Sequence, residues 1–259
     1  MEMNLREKAA IVTGASSGIG EATAREFAGR GARVVLCARN RDRLRAIVRE
    51  ILSSGGEAVA APCDVTDASS VREAVGLAVE EWGRVDVLVN NAGVGLSGRV
   101  AELRPEDLRR VMDVNVIGAL NFVQAVLPHM PEGGRIINVS SVIGRRSIPN
   151  VGGYCASKAA LGALSDALRV EVAKRKITVT TVYPGTTRTS FRENSLRTGG
   201  EKRGWRPPGV SPGRVAERIV QAAERGGRDV YVTRMDRIFV LGTGLAPGLT
   251  DRVLGMWAR

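Results

Sequence analysis

The sequence predicts an α/β fold, a single doubly wound parallel sheet of about seven strands with helices on both faces. Three observations predict it. Apolar runs of strand length alternate with amphipathic stretches of helix length along most of the chain, which is the pattern of a parallel sheet. The first run, Ala9 to Val12, is apolar throughout, as a strand covered on both faces is. A glycine-rich turn separates that run from the first helical stretch. Strands are expected near 8–13, 33–38, 57–62, 86–90, 134–140, 177–183 and 229–233. Helices are expected near 18–29, 41–54, 68–82, 105–127, 152–174 and 212–225. Ligands of such a sheet bind beyond the carboxyl ends of its strands.

The first strand runs into Gly14, Gly18 and Gly20, and residues 21–29 have helical character, with Gly31 ending the helix. Glycines in a strand–turn–helix context let the backbone approach a ligand closely. The helix N-terminus behind them offers free N–H groups and positive dipole to a pyrophosphate. The spacing is G-x-x-x-G-x-G, not the commoner G-x-G-x-x-G.

Mid-chain, the stretch NVSSVIGRRSIPNVGGYCASK carries Ser141, Tyr154 and Lys158. The i,i+4 spacing of Tyr154 and Lys158 stacks them on one helix face. A phenol ionises near pH 10, and an adjacent ammonium is expected to lower that value. Such a tyrosine exchanges a proton with a substrate oxygen, and a serine hydroxyl can hold the same oxygen. A Y-x-x-x-K pair alone is common on helices; the rest of the chain gives this one weight.

With Asn90-Asn91-Ala92-Gly93, Asn115 in DVNVIG, and Pro184-Gly185 followed by Thr189, the chain resembles the short-chain dehydrogenase/reductase family from about Leu5 to about Val232. The resemblance implies a Rossmann-like fold and a catalytic tetrad. In it Tyr154 is the general acid or base, and Lys158 favours the tyrosinate and holds the nicotinamide ribose. Ser141, preferred to Ser140, orients the substrate oxygen, and Asn115 supports a water that links Lys158 to solvent. It further implies that Gly14, Ser16, Gly18, Ile19 and Gly20 form the cofactor loop. Asp64 is then expected at the adenine with Val65 beside it. Asn91, Ala92 and Gly93 lie against the adenosine ribose or pack the sheet. Pro184, Gly185, Thr187 and Thr189 flank the nicotinamide, Thr187 standing where many relatives have a β-branched apolar residue. The second strand ends in Ala38-Arg39, with no acid to bind a ribose 2′-hydroxyl. A guanidinium there can pair with a 2′-phosphate, so the expected cofactor is NADP(H). The resemblance also implies a homo-oligomer, a tetramer, paired through the helices at 105–127 and 152–174.

The 259 residues are 44% hydrophobic, enough for a sizeable core, and are expected to form one domain, 1–259. The start, MEMNLREKAA, has no signal-peptide core. No run of 18 apolar residues occurs, so no membrane span is expected. Three scattered cysteines, Cys37, Cys63 and Cys155, suggest a reducing compartment and a cytoplasmic protein. With one histidine, His129, and no zinc-type Cys spacing, no metal site is expected. The formal charge is +11, but the basic residues are dispersed without aromatic interleaving, which argues against nucleic acid. Residues 188–237 hold twelve Lys/Arg against six Asp/Glu.

The irregular segment at about 186–212 is expected to be a substrate lid. The stretch from about 237 to 258 is apolar but interrupted by Gly242, Gly244, Pro247 and Gly248. It is expected to be a packed terminus or else a peripheral membrane or subunit contact. The leading functional expectation is interconversion of a carbonyl and a secondary alcohol, on either a 3-oxoacyl thioester or a free apolar ketone. Val142, Ile143, Ile148, Pro149 and Val151 are candidates for an apolar pocket, with Arg145 and Arg146 at its mouth. The alternative is a catalytically silent cofactor-sensing or scaffold protein of the same fold.

Overall fold

A computed structural model describes residues 2–198 and 208–257. Its strands are β1 (Ala9–Thr13), β2 (Arg33–Ala38), β3 (Glu57–Pro62), β4 (Val87–Asn90), β5 (Leu96–Ser97), β6 (Arg135–Val139), β7 (Thr178–Tyr183), β8 (Leu196–Arg197) and β9 (Asp229–Tyr231). Seven of them form one sheet in the order β3-β2-β1-β4-β6-β7-β9, parallel throughout. The strand order reverses between β1 and β4, which opens a crevice at their carboxyl ends. A separate parallel pair, β5 with β8, ties the segment after β4 to the segment after β7.

The helices are α1 (Gly18–Gly29), α2 (Arg41–Ser53), α3 (Ala68–Trp82), α4 (Pro105–Met112), α5 (Gly118–Val126), α6 (Gly152–Glu171), α7 (Pro212–Arg225), α8 (Arg234–Leu245) and α9 (Pro247–Trp257). Alternate residues of each buried strand feed two cores. Val12, Leu36 and Ile137 join Phe27, Leu44 and Ile219 on the face covered by α1, α2 and α7. Ile11, Val35, Leu88 and Ile136 join Val71, Val75 and Phe122 under α3 and α5.

One expected helix and the C-terminal stretch differ from expectation. The stretch expected at 105–127 is α4 and α5 joined by a π turn at Asp113–Ile117. Residues Pro105–His129 are together long and apolar enough, by length and composition only, to cross a membrane. Yet 44% of their most apolar window is buried within the fold, as in a core helix. The C-terminal stretch is not broken by its glycines but folds as α8 and α9, starting three residues before the expected boundary. A Thr233–Asp236 capping box starts α8, the hydroxyl accepting from the Asp236 N–H and the carboxylate from the Thr233 N–H. That cap supplies the start signal the glycine pattern concealed. Of the expected lid, 186–198 and 208–212 are described, anchored by β8 and by a Thr187–Val210 bridge. Residues 199–207 of it lie outside the described residues.

Candidate active site

The site starts at the turn after β1. Gly14 has φ of +65°, and a side chain on it would meet Ala92 Cα at 2.9 Å. A methyl on Gly20 would sit 2.2 Å from the Gly14 carbonyl oxygen. The turn is therefore tightened against the first turn of α1. Ser17, the N-cap of α1, makes no side-chain capping bond, so the helix's leading N–H groups remain available to an anion. This donor set fits a pyrophosphate. Ser16 and Ile19 are half-buried in the same turn.

The Thr13 hydroxyl accepts from the N–H groups of Asn91 and Ala92, and the Asn91 side chain donates to the Thr13 carbonyl at 2.9 Å. Asn91 thus pins the glycine turn to the end of β4. Across β4, Asn115 sits at the centre of the π turn, 1% exposed. Its Oδ1 accepts from the Val94 N–H at 2.8 Å, while its Nδ2 donates to the Val94 carbonyl and to Ser157 Oγ. Ser157 in turn donates to the Tyr154 carbonyl. Gly93 faces both groups: a Cβ there would lie 3.1 Å from Asn115 Oδ1 and 3.5 Å from Lys158 Nζ.

Lys158 is buried, and its Nζ donates to the Val139 carbonyl at 2.8 Å. Desolvation pulls its ammonium down to about 8. Ser140 is buried and donates to the Lys158 carbonyl; Ser141 is half-buried, donating to the Pro184 carbonyl and accepting from the Ile143 N–H. The more accessible hydroxyl is thus Ser141, the one preferred from sequence. Tyr154 lies with its ring centroid 5.9 Å from Lys158 Nζ. The expected lowering of its phenol does not occur here. Burial, with Cys155 acting in the same direction, pushes the group above its usual value, and the ammonium stands off, bound to the Val139 carbonyl.

The segment after β7 meets the glycine turn. A side chain on Gly18 would touch Thr189 Cγ2 at 3.1 Å, so the loop after β7 crosses the glycine turn. The Thr187 hydroxyl donates weakly to the Gly185 carbonyl at 3.4 Å. At the other end, the Thr66 N–H and hydroxyl hold the Asp64 carboxylate below its usual range against desolvation, with Arg39 and Arg110 acting in the same direction. Val65 is buried against Gly118. Ala38 is buried and Arg39 exposed at the end of β2. Among the described residues no group of three His, Cys, Asp or Glu could hold a metal ion.

Sequence reasoning missed two contacts. Phe191 packs on Tyr154 at 5.6 Å between centroids; its only signal was lying two residues beyond Thr189. Asp236 of α8 places its carboxylate where a Gly185 side chain would be, 2.2 Å from that Cβ position. Of the expected pocket, Val142 is buried, Ile143, Ile148 and Val151 are half-buried, and Pro149 is exposed. Both arginines expected at its mouth are engaged in ion pairs. Arg145 pairs with Asp229 and covers the Tyr183 ring, and Arg146 pairs with Asp251. A cavity of about 160 Å³ lined by Gly144, Arg145, Ala159, Asp166 and Tyr183 shares Lys158 with the site but none of the glycine turn. It is too small for a dinucleotide, so the chemistry is assigned to the β1–β4 crevice.

Known proteins resemble this chain in sequence and fold. A family model described as short chain dehydrogenase matches residues 8–199. Dehydrogenase/reductase SDR family member 7B of Bos taurus is 35% identical, over 100% of this chain and 84% of its own length. A blue fluorescent protein from a metagenomic library, solved in complex with NADPH, is 33% identical with a TM-score of 0.80, covering 89% of this chain and 98% of that one. A short chain dehydrogenase/reductase from Burkholderia phymatum, solved in complex with NAD, is 25% identical with a TM-score of 0.86 over 96% of each chain. Sheet order, glycine turn and family match agree: the chain belongs to the short-chain dehydrogenase/reductase family of oxidoreductases.

Proposed function

We propose that the chain is an NADP(H)-dependent oxidoreductase that reduces a carbonyl to a secondary alcohol, with Tyr154 as proton donor. The observation that carries this reading is the place of Lys158 Nζ: 5.9 Å from the Tyr154 ring centroid, 3.5 Å from where a Gly93 side chain would begin, and bound to the carbonyl of Val139, two residues before Ser141. Bound NADPH would supply hydride. The residues of the chain do the rest. The turn and the start of α1 hold the pyrophosphate; Arg39, with no acid beside it on β2, favours a 2′-phosphate.

Burial keeps the Tyr154 phenol protonated at neutral pH, which suits it to give a proton to the substrate oxygen. Lys158, still largely an ammonium below about 8, stabilises the phenolate that this transfer leaves. Ser141 holds the same oxygen by turning its hydroxyl from Pro184. Asn115 acts by fixing the backbone at Val94 and, through Ser157, the turn carrying Tyr154. Half-buried Ile143, Ile148 and Val151, with both nearby arginines engaged elsewhere, support a free apolar ketone over a 3-oxoacyl thioester. One sheet flanked by two cores supports reading 1–259 as one domain. Three buried thiols support a cytoplasmic setting, and the exposed Ile117 and Leu164 support a tetramer.

The test is NADPH oxidation across a panel of ketones, quinones and acyl thioesters. Parent turnover with an apolar ketone, reduced about 10²–10⁴-fold in Tyr154→Phe with NADPH binding retained, is expected. Near-full activity of the variant would overturn the mechanism. NADPH binding without turnover on any substrate would favour a cofactor sensor instead.

A further inference from the structure

We propose that α8 and α9 form a docking surface for an anionic lipid bilayer. Of the twelve exposed large apolar side chains among the described residues, seven lie on these two helices. On α8 they are Met235, Ile238, Leu241 and Leu245, and on α9 Leu249, Val253 and Met256. The spacings of three and four place each set along one helix face. Leu245, at the junction, is 87% exposed. No residue of α8 is buried. It leans on β9 and on the turn at Val142–Gly144, and α9 leans on α8.

These helices are poorly served by water. They have 12 and 11 residues, a length at which isolated helices are marginal. Each holds two glycines, Gly242 and Gly244 on α8 and Gly248 and Gly255 on α9, and nothing lies within 4 Å of where their side chains would begin. Mid-helix glycine weakens a helix further. An apolar medium against the exposed face compensates for both.

Charge selects the medium. Arg234, Arg237 and Arg252 are exposed beside the apolar stripes. The two acids of the segment are engaged, Asp236 in the capping box and Asp251 with Arg146. A cationic rim around an apolar stripe matches the anionic headgroups and acyl boundary of a bilayer. A second copy docked through the same face would bring the arginine sets of both copies together, which disfavours self-pairing.

The test is flotation of the full chain with phosphatidylcholine vesicles, with and without phosphatidylserine. Binding that requires phosphatidylserine and weakens with salt is expected. Arg234→Gln, Arg237→Gln and Arg252→Gln should each lower the partition coefficient roughly fivefold. The pair Leu245→Ser, Leu249→Ser should abolish binding while the main unfolding transition stays in place. If the double variant fails to fold, the arginine series and the salt dependence still decide. A parent that stays out of both vesicle types overturns the proposal. So does self-association that Leu245→Ser abolishes without any vesicle binding, which would assign the face to a second copy.

Discussion

Lys158 is the most costly residue of the proposed site. Its ammonium is drawn from 10.5 to about 8 by burial alone, a penalty on the order of 3 kcal/mol at neutral pH. Because the folded value lies below the unfolded one, the folded state binds fewer protons between about 8 and 10.5, and stability from this group rises with pH across that window. Above 10 the raised Tyr154 value acts in the opposite sense. Lys158→Met should therefore be as stable as the parent or more so at neutral pH, with the advantage shrinking as pH approaches 10, while turnover is lost. Denaturant unfolding at both pH values checks this; equal destabilisation at both would mean that the ammonium holds the fold rather than serving the site. Arg39 makes the complementary case at the surface. Hydrogen bonds to charged groups contribute about 1.5–3 kcal/mol, so Arg39→Ala should weaken NADPH roughly 10- to 100-fold and leave NADH nearly unchanged. Parallel losses for the two cofactors would make it a solvated cation. At this scale the sequence was most legible where spacing alone sets a neighbour: Tyr154 and Lys158, four residues apart on α6, face each other at 5.9 Å. It was least legible for amides. Nothing in DVNVIG says that Asn115 spends its side chain on Val94 and Ser157, and nothing in NNAG says that Asn91 pins Thr13.

At the scale of elements, period and glycine punctuation located the strands within a residue or so, because strands buried on both faces are plain apolar runs. Helix interiors were harder. The π turn at Asp113–Ile117 carries no breaker residue. It arises where Asn115 turns inward to the Val94 backbone between two helical stretches that each pack on the core, and such turns recur at functional sites. The C-terminal helices were obscured for the opposite reason. Their glycines read as interruptions, whereas on an uncovered face glycine lowers helix stability without ending the helix. The short β5–β8 pair, two residues on each side, lies below what any periodicity can signal. It positions the segment that brings Phe191 onto Tyr154.

For the whole molecule, the exposed apolar side chains bear on the proposed tetramer. Ile117 is 43%, Leu164 42% and Val170 76% exposed on α6 and the turn before α5, and α6 adds a bare row at Ala156, Ala159, Ala163 and Ala167. Static light scattering should give the mass of a tetramer of the 27.6 kDa chain, and Leu164→Glu should reduce it; a parent monomer at micromolar concentration would refute the assembly. The contact between Asp236 and Gly185 reaches further than packing. One end of α8 fills the space beside a loop that flanks the proposed nicotinamide site, so a shift of the helix that withdrew Asp236 would remove a wall of that loop. A ligand at α8 that shifted the helix in this way would alter affinity at the crevice by the same factor with which occupancy of the crevice alters affinity at α8. The Asp236 carboxylate would be the joint of such a linkage, and Asp236→Asn should leave the capping bond to the Thr233 N–H weaker and shift NADPH affinity if the joint operates.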